Sequence, residues 1–360
     1  MTAAVDWQGV VKATPRGPYL PRVVWYEDVR GRMISVDRAR EPERWQALAA
    51  ADVALTTQLD DGGSGDEIPT SSASRPSIVA RMLDALDARP GHRVLELGTG
   101  TGWNAALLCV AVGADQVTTM EIDPDVAKAA ARALNSQGLY PRTLTGDGLA
   151  AVDPAAPPFD RIIATMAVRR VPTAWIARSR PGAVIVTPWG NAYNNSGLLR
   201  LVVADDGSAS GRFVGNAAFM FARSHRRRFD GRRFLGDVIP DPDAGRETRT
   251  ALDPREIHEE HADFAIGLRV PDVEQRTFFG SGAQAEEFTT WYADGTSWAS
   301  VDFAPGATDF TVTQGGPRSV WDEIAAAYTA WVRDGRPRRE EHGMTVTAGG
   351  DQTVRPTTTR

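Results

Sequence analysis

Residues 93–108 read RVLELGTGTGWNAALL. A short apolar run gives way to three glycines in five residues, Gly98, Gly100 and Gly102, and apolar residues then return at helical spacing. The run has the length of a buried strand, and the stretch after the glycines has the period of a helix. Glycine backbone reaches positive φ and lets a ligand come close to main-chain N–H groups. Strand, glycine loop and helix in that order predict a ligand held at the carboxyl end of a strand in an α/β sheet. Read from Gly98, a dinucleotide fingerprint, G-x-G-x-x-G/A, fails because Trp103 stands where its last small residue belongs. No lysine follows at Walker A spacing, so a P-loop is excluded as well.

Outward from the loop, strand and helix alternate. QVTTME is a strand ending at Glu121, and Pro124 to Gln137 is a helix with Asp123 as N-cap, stopped by Gly138. RTLTG runs into Asp147-Gly148, FDRIIATM and AVIVTP are further strands, and LLRLVVADDGSASGRFVGNAAFMFA reads as two strands about a turn. The pattern predicts a doubly wound, mostly parallel sheet. Glu121 lies 23 residues after Gly98 at the end of the second strand, where a carboxylate accepts two hydrogen bonds from a ribose diol. Asp147 ends the third strand, where it accepts from an adenine amino group. Each has an ordinary alternative: a surface carboxylate at a strand end, and a plain Asp-Gly turn. In series with E-L-G-T-G-T-G they point to S-adenosylmethionine.

The 360 residues are enough for more than one structural unit, and a net charge of −6 argues against a general electrostatic grip on nucleic acid. One cysteine, Cys109, excludes an internal disulfide. With no apolar N-terminal segment and no apolar run of membrane length, the chain reads as cytoplasmic. We divide it into an N-terminal lead with an active-site segment (1–75), a cofactor-binding core (76–222), a basic and charged connector (223–261) and a C-terminal accessory unit (262–360). DDGGSGDEIPTSSAS (60–74) reads as a loop, and Pro76 opens a helix.

Residues from about Trp7 to Phe221 resemble the protein-L-isoaspartate O-methyltransferases, a branch of the class I methyltransferases. TPRGPYLPR, TSSASRPSIVARMLDAL, the glycine stretch, TGDGLAA and FDRIIATMAV carry the likeness. The resemblance implies a Rossmann-like seven-stranded sheet with an antiparallel last strand, followed here by a C-terminal α+β extension. It implies S-adenosylmethionine as donor, S-adenosylhomocysteine as product, and an aspartyl or isoaspartyl side chain of a peptide as acceptor. It places Glu96, Gly98, Thr99, Gly100, Gly102, Glu121, Ile122, Asp147 and Gly148 at the cofactor. Ser74 falls at the catalytic site, with Arg75, Thr165 and Met166 beside the substrate. Three departures fall on the acceptor side: the 60–74 stretch, Thr165-Met166-Ala167-Val168 in place of A-A-A-P, and more than 100 residues past the family's usual end. Longer relatives of this kind methylate aspartate in ribosomally synthesised peptides, so an acidic precursor peptide is the expected partner, with repair of isoaspartate as the alternative. RNA or a small molecule is a more remote acceptor.

The chemistry asks little of the protein. Aspartate is already ionised near neutral pH, so no general base is needed, and alignment and desolvation supply the catalysis. Ser74 either bonds the acceptor carboxylate or caps the helix that begins at Pro76. His258 and His261 are three apart rather than the four of the zinc motif, and read as a solvated face with no metal site. Arg223, Arg226, Arg227, Arg228, Arg232 and Arg233 form a basic tract, either solvated or a channel for an acidic peptide. Trp291, Trp298, Trp321 and Trp331 read as core of the C-terminal unit.

Overall fold

The computed structural model describes residues 4–28, 31–63, 65, 67–150, 156–226, 239 and 244–357. The chain forms two compact units, and the sequence order does not respect the division. The first comprises Met1–Pro188, Leu198–Ala222 and Met344–Thr353, and the second Trp189–Gly197, Arg223–Gly343 and Val354–Arg360.

The first unit opens with α1 (Trp7–Ala13), β1 (Val23–Glu27), β2 (Met33–Asp37), α2 (Pro42–Ala50), β3 (Leu55–Leu59) and β4 (Pro69–Ala73). The four strands make one sheet in the order β2-β1-β3-β4. The expected loop at 60–74 is therefore corrected: its second half is β4, paired antiparallel with β3 through a bulged register. Polar PTSSA lacks the alternation that marks a strand, so only its partner reveals it.

Next come α3 (Pro76–Leu86), β5 (Val94–Leu97), α4 (Trp103–Val112), β6 (Val117–Glu121), α5 (Pro124–Ser136), β7 (Arg142–Thr145), β8 (Phe159–Ala164), α6 (Thr173–Ala177), β9 (Ser179–Trp189), β10 (Gly197–Val203) and β11 (Ala209–Asn216). Helix α3 buries Val79, Met82, Leu83 and Leu86 at helical spacing. Helix α4 is apolar almost all round and is buried accordingly. Helix α5 starts as its sequence demands, with Asp123 accepting the amides of Asp125 (3.0 Å) and Val126 (3.1 Å).

The second unit holds β12 (Arg246–Thr250), α7 (Pro254–Ile257), α8 (Glu260–Arg269), β13 (Glu274–Phe279), β14 (Phe288–Ala293), β15 (Trp298–Phe303), β16 (Phe310–Gly315) and α9 (Val320–Arg333). Its sheet runs β12-β16-β15-β14-β13, every pair antiparallel. Trp298, Trp321 and Trp331 are core, while Trp291 is half-buried. The charged stretch after the basic tract is thus not bare connector, since it contributes an edge strand and a helix.

The chain closes with β17 (His342–Val346) and β18 (Gln352–Pro356), which join the larger sheet. Among the described residues that sheet has nine strands, in the order β18-β17-β11-β10-β9-β8-β5-β6-β7. The seven expected strands are there, β5 to β11, and the two closing strands are added at the β11 side. Pairs β5–β6, β5–β8, β6–β7 and β8–β9 are parallel. The α/β doubly wound class read from the sequence holds. No described helix is long and apolar enough to cross a membrane.

Candidate functional site

Parallel strands put their carboxyl ends along one side of the sheet. Gly98 follows β5, Glu121 ends β6, Asp147 follows β7 and Thr165 follows β8, so residues up to 67 positions apart are gathered there. The glycine loop is tied to β6 through Gly98 N–H to Met120 C=O (2.8 Å) and turns back on itself through Gly102 N–H to Thr99 C=O (2.9 Å). Gly98, Gly100 and Gly102 all have positive φ. A Cβ on Gly98 would lie 2.6 Å from Thr165 Oγ1 and 3.3 Å from Met166 Sδ. One on Gly102 would press on Ala130 and Leu134 of α5 at 3.3 Å. Close approach of neighbouring elements thus requires two of the three glycines, before any ligand enters.

Glu121 is nearly buried and organises the loop itself. One carboxylate oxygen accepts Gly100 N–H (2.9 Å) and the other Asp123 N–H (3.1 Å). Each oxygen keeps a further lone pair, so capacity for a diol is retained. Glu96 and Thr99 sit differently, beneath the loop. The Glu96 side chain is wholly buried, accepting from Asn104 Nδ2 (2.7 Å) and Thr119 Oγ1, and Thr119 meets Thr99 Oγ1 at 2.6 Å. Burial pushes the Glu96 carboxyl up to about 7, against the pull of its two hydrogen bonds. Ile122 is half-buried between Glu121 and Asp123. Asp147 is exposed and accepts Leu149 N–H (2.9 Å), while buried Gly148 packs on Leu97 and its carbonyl accepts from Trp175 Nε1 (2.7 Å). Trp103, the residue that broke the dinucleotide fingerprint, turns into the core, where Nε1 donates to Thr14 C=O (2.7 Å).

Of the residues expected at the acceptor, Thr165 and Met166 flank the loop, and Thr165 Oγ1 donates to Gly98 C=O. A Cβ on Gly100 would lie 3.6 Å from Ser72 C=O, which brings β4 over the loop. Ser74 is half-buried and Arg75 exposed. The capping alternative for Ser74 is corrected: Arg75 holds the N-cap position without a side-chain bond, and Asp52 accepts Ser77 N–H (2.8 Å).

Several contributors escaped the sequence. Arg16, the arginine of TPRGPYLPR, is buried and donates to five carbonyls: Leu48 (2.7 Å), Ala49 (2.8 Å), Ala51 (2.8 Å), Val53 (2.7 Å) and Ser74 (3.2 Å). Burial lowers its pKa to about 10. Gln58 of β3 donates to Asp123 Oδ2 (3.2 Å). Position in a motif was the only signal for Arg16, and Gln58 had none. Cys109 is buried and its thiol is raised to about 12, which makes it inert.

In the second unit His258 meets Thr290 Oγ1 (3.0 Å), and His261 Nδ1 accepts Arg339 N–H (3.3 Å). The expected solvated face is therefore corrected: both rings are half-buried with separate partners, and among the described residues no three acidic, histidine or cysteine side chains form a metal-sized group. Arg223 lies in a short 3-10 turn, and Arg227, Arg228, Arg232 and Arg233 lie outside the described residues.

Comparison with known proteins agrees with this geometry. Protein-L-isoaspartate O-methyltransferase of Pyrococcus horikoshii is 35% identical over 148 residues, which are 41% of this chain and 66% of that protein. Protein-L-isoaspartate O-methyltransferase 1 of an Anaeromyxobacter species is 40% identical over 170 residues, 46% of this chain and 72% of its own. The chain thus spans just under two thirds of the Pyrococcus relative. A solved structure named protein-L-isoaspartate O-methyltransferase superposes over 98% of this chain and 96% of itself, with a TM-score of 0.53 and 21% identity, a likeness of fold. The model of the protein-L-isoaspartate(D-aspartate) O-methyltransferases matches residues 20–226, more than half of the chain, and the chain belongs to that family.

Proposed function

We propose that the protein is an S-adenosylmethionine-dependent methyltransferase acting on the side-chain carboxylate of an isoaspartyl or aspartyl residue in a peptide or protein. The observation that carries this is Glu121: nearly buried, fixed by two main-chain N–H groups, and set at the carboxyl end of the strand beside the glycine loop. That donor set fits an adenosine: a carboxylate for a diol, an aspartate after the next strand, and main chain kept open by positive φ. When bound, S-adenosylmethionine supplies a methyl group on a sulfonium leaving group.

The protein's own residues orient and exclude water. Arg16 holds the Ser74 carbonyl, Ser74 and Arg75 face the acceptor, and Thr165 and Met166 close the other flank. An acceptor carboxylate attacks through one oxygen and becomes the neutral methyl ester. The next backbone nitrogen then attacks the ester carbonyl, methanol leaves, and a succinimide forms without a further catalytic side chain.

Isoaspartyl repair is the reading the family supports. A second reading, tailoring of an aspartate in an acidic precursor peptide, is favoured by the departure at Thr165-Met166, which lies against the loop where the acceptor enters. Chain length does not favour it, because the solved relative matches along nearly the whole chain. The test is to incubate the protein and cofactor with an isoaspartyl peptide, its aspartyl twin and a short acidic precursor, and to follow mass. Methylation of the isoaspartyl peptide alone supports repair. Methyl gain and then net loss of water on an ordinary aspartate supports tailoring, and no methyl gain on any of them refutes both. Glu121→Ala is expected to abolish cofactor binding in calorimetry, and unchanged affinity would refute the ribose assignment.

A further inference from the structure

We infer that Gln352 is a positioning residue for the acceptor side of this site, an inference that rests on the carboxyl-methyltransferase reading. The segment after β8 runs along the glycine loop at Thr165 and Met166 and then turns through Val171. Its backbone is pinned at four places. Thr165 N–H donates to Leu97 C=O (2.9 Å). Ala167 pairs with the 220–222 stretch, donating to Met220 C=O (2.8 Å) and accepting Ala222 N–H (2.9 Å). Val168 N–H donates to Pro188 C=O (3.0 Å). These three anchors come from within the family-matched range.

The fourth comes from far outside it. Gln352 Oε1 accepts Val171 N–H (3.0 Å), and Gln352 Nε2 donates to Val171 C=O (2.8 Å). One side-chain amide thus satisfies both main-chain groups of a buried residue, as a neighbouring strand would. Beside it Arg170 donates through Nη2 to Gly350 C=O (2.8 Å). The β17–β18 turn is tight, with Thr347 N–H to Asp351 C=O at 2.9 Å and Gly350 N–H to Thr347 C=O at 2.9 Å. Gly350 has positive φ, and a Cβ there would lie 3.1 Å from Thr173 Cγ2 of α6, so the turn seats flush on the first unit. Residues 344–353 belong to that unit. A segment 181 residues downstream therefore fixes the far end of the strip whose near end touches Gly98.

Gln352→Ala in the full-length protein tests this. The expected result is a rise of about fivefold or more in KM for the methylated peptide, since small misplacements of a substrate-positioning segment are costly. Cofactor affinity should stay within about twofold and kcat should fall less than KM rises. Amide exchange at residues 167–171 should quicken while that of β5 and β6 stays unchanged. Gln352→Glu keeps the acceptor for Val171 N–H but removes the donor, and should behave like the alanine variant; it carries the same comparison if the alanine variant does not fold. Unchanged KM, or cofactor affinity falling in step with KM, would overturn the inference. If the wild-type protein methylates no peptide, the functional reading fails by itself. Exchange at 167–171 still decides the clamp, and unchanged exchange there would overturn it.

Discussion

Replacing Glu96 by glutamine isolates a single buried charge beneath the glycine loop. In the unfolded chain this carboxyl titrates at its ordinary value, and in the folded protein burial moves it to about 7. Between those two values the native state binds more protons than the unfolded state, so stability falls as pH rises. The contribution of the neutral acid is fully present below the unfolded pKa and is lost as pH climbs through about 7. Moving the carboxyl from its ordinary 4.5 to about 7 corresponds to about 3 kcal/mol. Glutamine stays neutral throughout and keeps the shape. Its oxygen accepts from Asn104, its amide donates to Thr119, and Thr119 then donates to Thr99. Urea unfolding of both proteins without cofactor, at constant ionic strength from acid to alkaline pH, provides the measurement. Subtraction removes the titrating groups that do not interact with Glu96. Near pH 5 the two should agree within about 1 kcal/mol, and near pH 8 the glutamine variant should be the more stable by up to about 3 kcal/mol. A difference that does not grow with pH would refute the reasoning, because an ionised Glu96 would then cost the fold nothing.

Three further outcomes are expected. Gly98→Ala forces a Cβ to 2.6 Å from Thr165 Oγ1 at a positive φ, and should cost about 2 kcal/mol in thermal or urea unfolding; adding Thr165→Ala should recover only the steric part. Arg16→Met leaves five carbonyls without their shared donor, and calorimetry should show a loss of about 3 kcal/mol or more. Asp52→Ala should cost about 1 kcal/mol by uncapping α3, whereas Ser74→Ala should leave urea stability within about 0.5 kcal/mol and lower methyl transfer instead.

What was legible in the sequence was what is local or periodic. Val94–Leu97 with its glycines, the alternation through β11, and the Asp123 cap each declare themselves within a few residues. The residues expected at the cofactor lie on such pieces, because the sheet aligns the carboxyl ends of its parallel strands. The residues expected at the acceptor are held by contacts across distance. Arg16 works through carbonyls 32 to 58 residues away, β4 is a strand only because β3 lies beside it, and Gln352 meets Val171 from 181 residues off. None of these has a spacing rule. Ser74 shows the same limit, since its position before Pro76 allowed a capping role that Asp52 fills from the loop between α2 and β3.

The late return of β17 and β18 also orders events during synthesis. The larger sheet cannot close its β11 side until most of the second unit has been made, because 121 residues from Arg223 to Gly343 intervene. Contacts of such separation are slow to form, as the intervening chain must be ordered or looped out first. A growing chain that has passed Ala222 therefore holds its parallel strands with β11 still open at the edge. Such an edge pairs readily with other chains. The strands that cover this edge also cap the sheet, and they are made only after those 121 residues.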